Sequence, residues 1–476
     1  MHDAACLVID EASFIGVDLL GRTCHAVAQL EGLEDIYVGG IPMILTVDCF
    51  QKKTCAAEPF YKTLVNDAVQ NQAESKDPTS APARRLRLLK QCHKFELTRI
   101  MQAKSDPVFI EHQSQMRGTS IATPVNKALV KNVARPVTQA DIAKDPTWLL
   151  ASLGVLSQLE RDHMNERRLQ QWCRIFGVPL VRWRIPLETP VALQNVPTDK
   201  LYAEEGNLWC YYARGAPCML NENHSSTRGL VNGAPVLMDS LHFGTDPRPQ
   251  AEEVIAAERT RTSSLITLDA PPHAAMMCVG SSKAKPRHWH GIKLPDLGAK
   301  LVALDGSGNA AGDDQVVPIL VSSQARELKL TGMTAAMHEL PAYLLGRTFA
   351  YNLAFALTDF KLQGRTLQKL IINLPRRTTP KLDLKSWYVP VSRATTEDGP
   401  CALQIDKGEI AKLLNLKHHP SLAAWQQGYD ARGYWDDGLC RAAIARMEAA
   451  QKRTNKTPRR GAVAPAPRRD KRKRQE

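Results

Sequence analysis

The stretch Cys6-Leu7-Val8-Ile9-Asp10-Glu11-Ala12-Ser13 sets an apolar run directly against two consecutive acids. Read as a buried strand, it delivers Asp10 and Glu11 at the strand's carboxyl end. Nucleotide hydrolysis uses that placement, with one carboxylate to hold Mg²⁺ and a second to polarise the attacking water. Strands ending in two acids are also common for purely structural reasons, so the pair takes its meaning from what surrounds it.

Working outward, Gly39-Gly40-Ile41-Pro42-Met43-Ile44-Leu45-Thr46-Val47-Asp48-Cys49-Phe50-Gln51 reads as a second buried strand followed by Asp48 and Gln51. A glutamine on that loop can reach a γ-phosphate or its water, or be simply a polar loop residue. Far downstream lie Thr358-Asp359-Phe360-Lys361-Leu362-Gln363-Gly364-Arg365-Thr366-Leu367 and Tyr388-Val389-Pro390-Val391-Ser392-Arg393-Ala394-Thr395. Ala5–Ile9, Met43–Val47, the alternating Leu353, Phe355 and Leu357, and Leu370–Leu374 are strand-like. The run ahead of Ser392 also reads as a strand, whereas Val17–Leu30 and Gln158–Phe176 have helical period. That βαβα rhythm implies parallel α/β sheets. Breaker-rich stretches at 71–83, 244–250 and 305–315 read as loops, the last two flanking a β-rich insertion. Ile410, Leu413, Leu414, Leu439, Ala442, Ala443 and Met447 place helices over 407–450.

Lys and Arg number 62 and Asp and Glu 49, so the 476 residues carry 62 − 49 = +13. Eleven basic and two acidic residues fall in 451–476, which holds +9 and leaves +4 for the rest. With 43% hydrophobic and 23% charged residues, the body has the composition of a globular protein with a basic appendage, which excludes a wholly disordered or histone-like chain. Eleven cysteines form no CxxC pair, which points to a reducing compartment rather than a disulfide framework or a paired zinc site. No apolar run approaches the roughly 20 residues that cross a bilayer, and the N-terminus lacks signal-peptide order. An intracellular, soluble protein is expected. The run Arg468-Arg469-Asp470-Lys471-Arg472-Lys473-Arg474 reads as a nuclear localisation signal or as a non-specific phosphate contact.

Taken in order, the four segments resemble superfamily 1 DNA helicases, most closely the petite-integration-frequency helicases and their relatives in Helitron-type transposons. Asp10-Glu11 matches Walker B, Asp48 and Gln51 match motif III, Lys361, Gln363, Gly364 and Thr366 match motif V, and Ser392-Arg393 matches motif VI. Gly215-Ala216-Pro217-Cys218-Met219-Leu220 and Gly229-Leu230-Val231-Asn232-Gly233 resemble the strand and Asn-Gly turn before the family's small barrel. Phe95–Met101 resembles the approach to motif IV. The likeness spans roughly residues 4–400.

The resemblance implies an α/β fold of two RecA-like P-loop NTPase lobes with a small SH3-like β-barrel insertion and a helical C-terminal segment. It divides the chain into a truncated first lobe (1–110), the first part of the second lobe (111–240), the insertion (241–340), the rest of the second lobe (341–400), a helical segment (401–450) and a disordered basic tail (451–476). It implies ATP with Mg²⁺ as cofactor, Asp10 as the magnesium ligand, Asp10, Asp48, Gln51, Gly364 and Arg393 around the nucleotide, and Asp10, Glu11, Gln51 and Arg393 in catalysis. Single-stranded DNA would run over Thr358, Lys361, Gln363 and Thr366, with duplex or forked DNA as a further partner, no membrane, and a monomeric state. Work on DNA repair, recombination and telomere maintenance in the nucleus follows from the same likeness.

The match has gaps. A P-loop needs Gly-x-x-x-x-Gly-Lys-Ser/Thr, whose amides and lysine neutralise the phosphates, yet none of the 28 glycines is followed by lysine. Met101-Gln102 stands where the family has Met-Arg, Val47 where it has Gly, and Leu362 where it has a small residue. The expectation is therefore the C-terminal portion of an ATP-dependent DNA helicase, inactive alone, or a decayed, non-enzymatic nucleic-acid-binding relic of a mobile-element helicase. His288-Trp289-His290 admits a metal reading but fits a strand better. The tryptophans at 172, 183, 209, 387, 425 and 435 could stack on bases or fill cores.

Overall fold

Two acids at a strand end are held only if the strand has neighbours. In a computed structural model Leu7–Ile9 (β1) lies parallel to Met43–Leu45 (β2), in the register Leu7↔Met43, Val8↔Ile44 and Ile9↔Leu45. The structure describes residues 6–33, 36–51, 58–70, 81–101, 103–117, 124–133, 135–145, 148, 151–188, 196–244, 249–279, 315–331, 334–335, 338–373, 383–402 and 413–456. Gln102, the His288–His290 pair, Ile410 and the basic residues from 457 onward lie outside them. Two compact units emerge, one built from residues up to Cys49, 53–98 and 418 onward, the other from 50–52 and 99–417.

In the first unit, the helix Val17–Leu30 buries Leu20, Cys24, Val27 and Ala28, one stripe at helical spacing. The helix Phe60–Gln70 buries Tyr61, Leu64, Val65, Ala68 and the carboxylate residue Asp67. A buried carboxylate needs a counter-charge. Lys90 supplies it, with its ammonium 2.7 Å from Asp67 and 2.7 Å from Asp437 at the start of the helix Asp437–Lys456. Arg441 donates to the Ala68 carbonyl at 3.0 Å, and the Trp425 ring meets Phe60 and Tyr429 edge-on at 5.7 Å. These contacts bind residues 418–456 to 58–98 in one body. The last helix runs on to Lys456, six residues into the segment expected to be disordered tail.

Among the described residues the second unit contains four sheets. Ser152–Val155 (β3), Leu180–Arg184 (β4), Leu187–Glu188 (β5), Trp209–Tyr212 (β6), Pro217–Leu220 (β7), Pro235–His242 (β8), Leu265–Leu268 (β9), Ala274–Val279 (β10), Gln315–Ile319 (β11), Arg326–Lys329 (β12), Tyr343–Gly346 (β13), Tyr351–Leu353 (β14), Ala356–Thr358 (β15), Leu370–Ile372 (β16) and Pro400–Ala402 (β17) are its strands. β15-β3-β16-β17 is all-parallel, the arrangement expected from the βαβ rhythm. β11-β10-β8-β7-β14 is antiparallel, β6-β4-β9 mixed, and β12-β13-β5 antiparallel. One core packs Trp172 and Leu169 of the helix Gln158–Phe176 with Trp183, Tyr212 and Phe349, so Trp172 and Trp183 are core residues rather than base platforms.

Three expectations change. The strands of 241–340 form no closed barrel among the described residues: β10 and β11 extend an open antiparallel sheet whose opposite edge is β14, while β12 joins a separate sheet. Of the alternating Leu353, Phe355 and Leu357, the first ends β14, the last lies in β15 and Phe355 sits in the bend between them, where the chain leaves β7 and joins β3. Asn165, buried on the helix Gln158–Phe176, stitches that crossing. Its amide donates to the carbonyls of Leu353 (3.0 Å) and Ala356 (3.3 Å) and accepts from the Ala356 N–H (2.7 Å). Last, the run before Ser392 is helical: Leu384–Arg393 starts where the Asp383 carboxylate accepts the Ser386 N–H at 2.6 Å, and contains Pro390. Nearly every residue in it is buried, and a fully buried run has no polar stripe to reveal its period.

Replacing Asn165 by Ala strands three backbone groups at the sheet switch. Chemical denaturation is expected to show a loss on the order of 3 kcal/mol, since each buried orphan costs roughly 1–3 kcal/mol.

Candidate functional site

Asp10 and Glu11 do sit at the carboxyl end of β1, and Thr46 arranges them. The Thr46 hydroxyl donates to the Asp10 carboxylate and accepts the Glu11 N–H at 3.1 Å, while its carbonyl accepts the Ala12 N–H at 2.8 Å. Those bonds hold Glu11 at φ 50°, ψ 40°, a left-handed conformation that disfavours a side chain. Asp10 is left exposed and Asp48 half-buried. The hydroxyl of Thr46 was legible in the sequence, two residues before Asp48, but its role required the parallel register.

The second candidate surface begins where β15 ends. One helical turn, Asp359–Leu362, leads into Gln363 at φ −60°, ψ 141° and Gly364 at φ +76°. The Arg365 N–H closes on the Leu362 carbonyl at 3.1 Å. This is a type II turn, whose third position requires positive φ and therefore glycine. A Cβ at Gly364 would meet nothing within 4 Å, so backbone conformation alone sets the requirement.

That turn carries the cations. The Lys361 ammonium donates to the Asn232 side-chain carbonyl at 2.7 Å, joining this turn to the Asn-Gly turn 129 residues earlier. The Asn232 N–H in turn donates to Asn223 at 2.8 Å. Among the described residues no carboxylate pairs with Lys361. Burial, together with the Arg365 and Arg161 guanidiniums, holds its ammonium below the usual lysine range. Arg365, which the sequence did not single out, donates to the carbonyls of Lys361 (2.9 Å) and Gly233 (3.0 Å). Beside them, both amide atoms of Gln363 are shielded from solvent and have no hydrogen-bond partner among the described residues. Leaving such a group unmet costs about 1–3 kcal/mol. Thr358 is half-buried; Gly364 and Thr366 are exposed.

Ser392 and Arg393 close the helix Leu384–Arg393. The Arg393 backbone accepts the Leu367 N–H at 2.8 Å, which ties the end of this helix to the end of the segment Thr358–Leu367. Its side chain is 5% exposed and donates to the Ser392 hydroxyl at 2.9 Å, so the guanidinium folds onto its own helix. Gln51 is buried as well. Its neighbour Phe50 meets the Tyr388 ring edge-on at 6.3 Å, and Arg117 lies over both rings at 5.4 and 5.8 Å while donating to the Tyr388 hydroxyl at 2.8 Å. Arg117 carries no motif signature and could not be picked from the sequence. Trp387 is fully buried core.

Among the described residues, no group of three or more His, Cys, Asp or Glu could hold a metal ion. Asp10 can contribute one ligand to a Mg²⁺ carried by a nucleotide, but the sequence holds no glycine–lysine pair to cradle phosphates. The residues present therefore do not compose a complete nucleotide site.

No family model and no curated protein matches the chain. Its structural neighbours are Pif1 helicases. The Pif1 helicase from Bacteroides in complex with ADP-AlF3 and ssDNA matches at 16% identity and TM-score 0.51, over 91% of this chain and 78% of that one. Bacteroides Pif1 bound to ssDNA matches at 15% and 0.50, over 91% and 77%. The Pif1 helicase from Candida albicans matches at 14% and 0.47, over 89% and 77%. At these identities the likeness concerns the fold, a mixed α/β architecture similar to the RecA-like helicase fold.

Gly364→Ala is expected to cost about 1 kcal/mol through its positive φ, and Gly364→Asn less, because asparagine tolerates that conformation. Thermal unfolding of the two variants side by side checks the order.

Proposed function

We propose that this chain is a DNA-helicase-type protein that binds single-stranded DNA across the turn Lys361–Gly364 and the loop ending at Asn232-Gly233. The observation that carries the reading is the Lys361–Asn232 contact beside the unmet Gln363 amide. A cation with no carboxylate partner among the described residues is a group that a phosphodiester would satisfy, and the amide two residues on could join it once uncovered. The fold likeness to helicases, two of them bound to ssDNA, supports the same assignment. Forked or duplex DNA is a further partner on this reading. Thr358 and Thr366 flank the track, and the basic run at 468–474 adds either non-specific attraction or nuclear targeting.

ATP belongs to the proposal only in part. Asp10, Glu11, Asp48, Gln51 and Arg393 are the residues a helicase of this kind would use around ATP and Mg²⁺, and they fit the C-terminal portion of such an enzyme. These 476 residues alone are proposed not to turn ATP over, because their sequence holds no glycine–lysine P-loop to cradle the β- and γ-phosphates. A second reading, a nucleic-acid-binding protein without motor activity, is favoured by the burial of Arg393 against Ser392.

Binding is measured by fluorescence anisotropy with a labelled oligothymidylate. The full chain and a chain ending at Lys456 are both expected to bind, and Lys361→Met to bind about tenfold more weakly, the worth of one hydrogen bond to a charged group. Loss of binding on removal of the tail alone would place the whole interaction there and overturn the reading. DNA-stimulated ATP turnover that disappears in Glu11→Gln would overturn the proposed inactivity.

A further inference from the structure

Arg365 occupies an unusual place for a cation at a candidate phosphate-binding turn. Its guanidinium is not spread towards solvent but spans two backbone carbonyls. Nε donates to Lys361 at 2.9 Å, and Nη2 donates to Gly233 at 3.0 Å, bridging segments 132 residues apart, with the Met219 sulfur 3.5 Å from the same nitrogen. One planar fork therefore fixes both the turn that carries Lys361 and the loop that carries Asn232, the side chain on which the Lys361 ammonium rests. The loop has independent ties on its other side. The Gly233 N–H donates to the Leu220 carbonyl at 2.8 Å, and Asn232 is held by Asn223. Across the gap itself, the bridge of Arg365 stands beside the Lys361–Asn232 bond, and a bound phosphate would have to displace that bond.

We infer that Arg365 is a positioning residue of the single-strand surface, holding Lys361 and the Asn232-Gly233 loop at a fixed separation so that Lys361 can exchange Asn232 for a phosphate oxygen without the surface coming apart. Arg365 itself touches no phosphate. Lysine cannot replace it, because one ammonium on a flexible stem lacks the planar fork that reaches both carbonyls. The inference rests on the single-strand reading of the same surface.

The test is the salt dependence of oligothymidylate binding by the full chain. Each phosphate neutralised on a single strand contributes about 0.7 to the slope of log K against log salt. Lys361→Met is expected to reduce the slope by about 0.7, one phosphate contact. Arg365→Met and Arg365→Lys are expected to reduce it by the same amount, and the double variant Lys361→Met with Arg365→Met by no more, since both act on one contact. The charge-retaining Arg365→Lys separates a lost bridge from a lost charge, and carries the test if Arg365→Met fails to fold. A purely structural arginine would lower the unfolding temperature and leave the slope alone, which overturns the inference while Lys361→Met still responds. A double variant that loses a further slope of about 0.7 would make Arg365 a phosphate contact in its own right, which overturns the inference equally. An unchanged slope in Lys361→Met would overturn the single-strand reading and the inference together.

Discussion

Both segments of the candidate surface in the second unit depend on the exchange of partners between Leu353 and Ala356. There the chain leaves an antiparallel sheet and enters a parallel one, and at such a crossing backbone groups lose one set of partners before gaining the next. Asn165 covers the gap with one side chain that both donates and accepts. An asparagine amide suits the place because one short side chain carries two N–H donors and an acceptor oxygen. Fixing the crossing fixes the end of β15, and the turn from Thr358 to Thr366 is launched from there. β7, paired with β14 just before the crossing, leads directly into the loop that ends at Asn232-Gly233. The two segments thus hang from opposite sides of one stitch.

Around this scaffold the polar chemistry divides into satisfied and unsatisfied groups. Asp67, buried in the first unit, is met by Lys90, and Asp10 is met by Thr46. Arg365 spends its donors on carbonyls and Arg393 on Ser392. The Gln363 amide is left unmet among the described residues, and Lys361 rests on a neutral oxygen. Such exceptions are uncommon in a protein interior, and a ligand is one way of answering them. Buried polar atoms without a partner occur elsewhere among the described residues as well, on Gln113, Ser152 and Asn207 for example, and it is the nearness of the Gln363 amide to the Lys361 ammonium, rather than the net charge of the chain, that marks the candidate interface. The +9 of the terminal stretch is a charge without a specified partner.

What depends on periodicity or on local chemistry was legible in the sequence. The bounds of Val17–Leu30 and Gln158–Phe176 follow from their apolar spacing, and the second is marked by the Ser157 cap, which accepts the Glu160 N–H, and by Gly177 at φ 61°. The strand ends bearing Asp10 and Thr358, and the glycine demanded at 364, were equally readable. The helix Leu384–Arg393 was not: a buried run with Val-Pro-Val at its centre mimics a strand, although Asp383 three residues ahead of Ser386 is a helix-start signal. A pattern of alternating apolar residues through 353–357 likewise persists across a change of sheet, so alternation cannot report it. Asn165, Thr46, Arg117 and Arg365 act only through partners distant in the chain, and no single-sequence pattern encodes those pairs.

Hydrogen exchange with and without the oligothymidylate tests the two-segment surface most directly. Amides in 358–366 and 220–234 are predicted to gain protection together on binding, since one surface is built from both. Protection confined to residues beyond 456, or to one of the two segments alone, would contradict it.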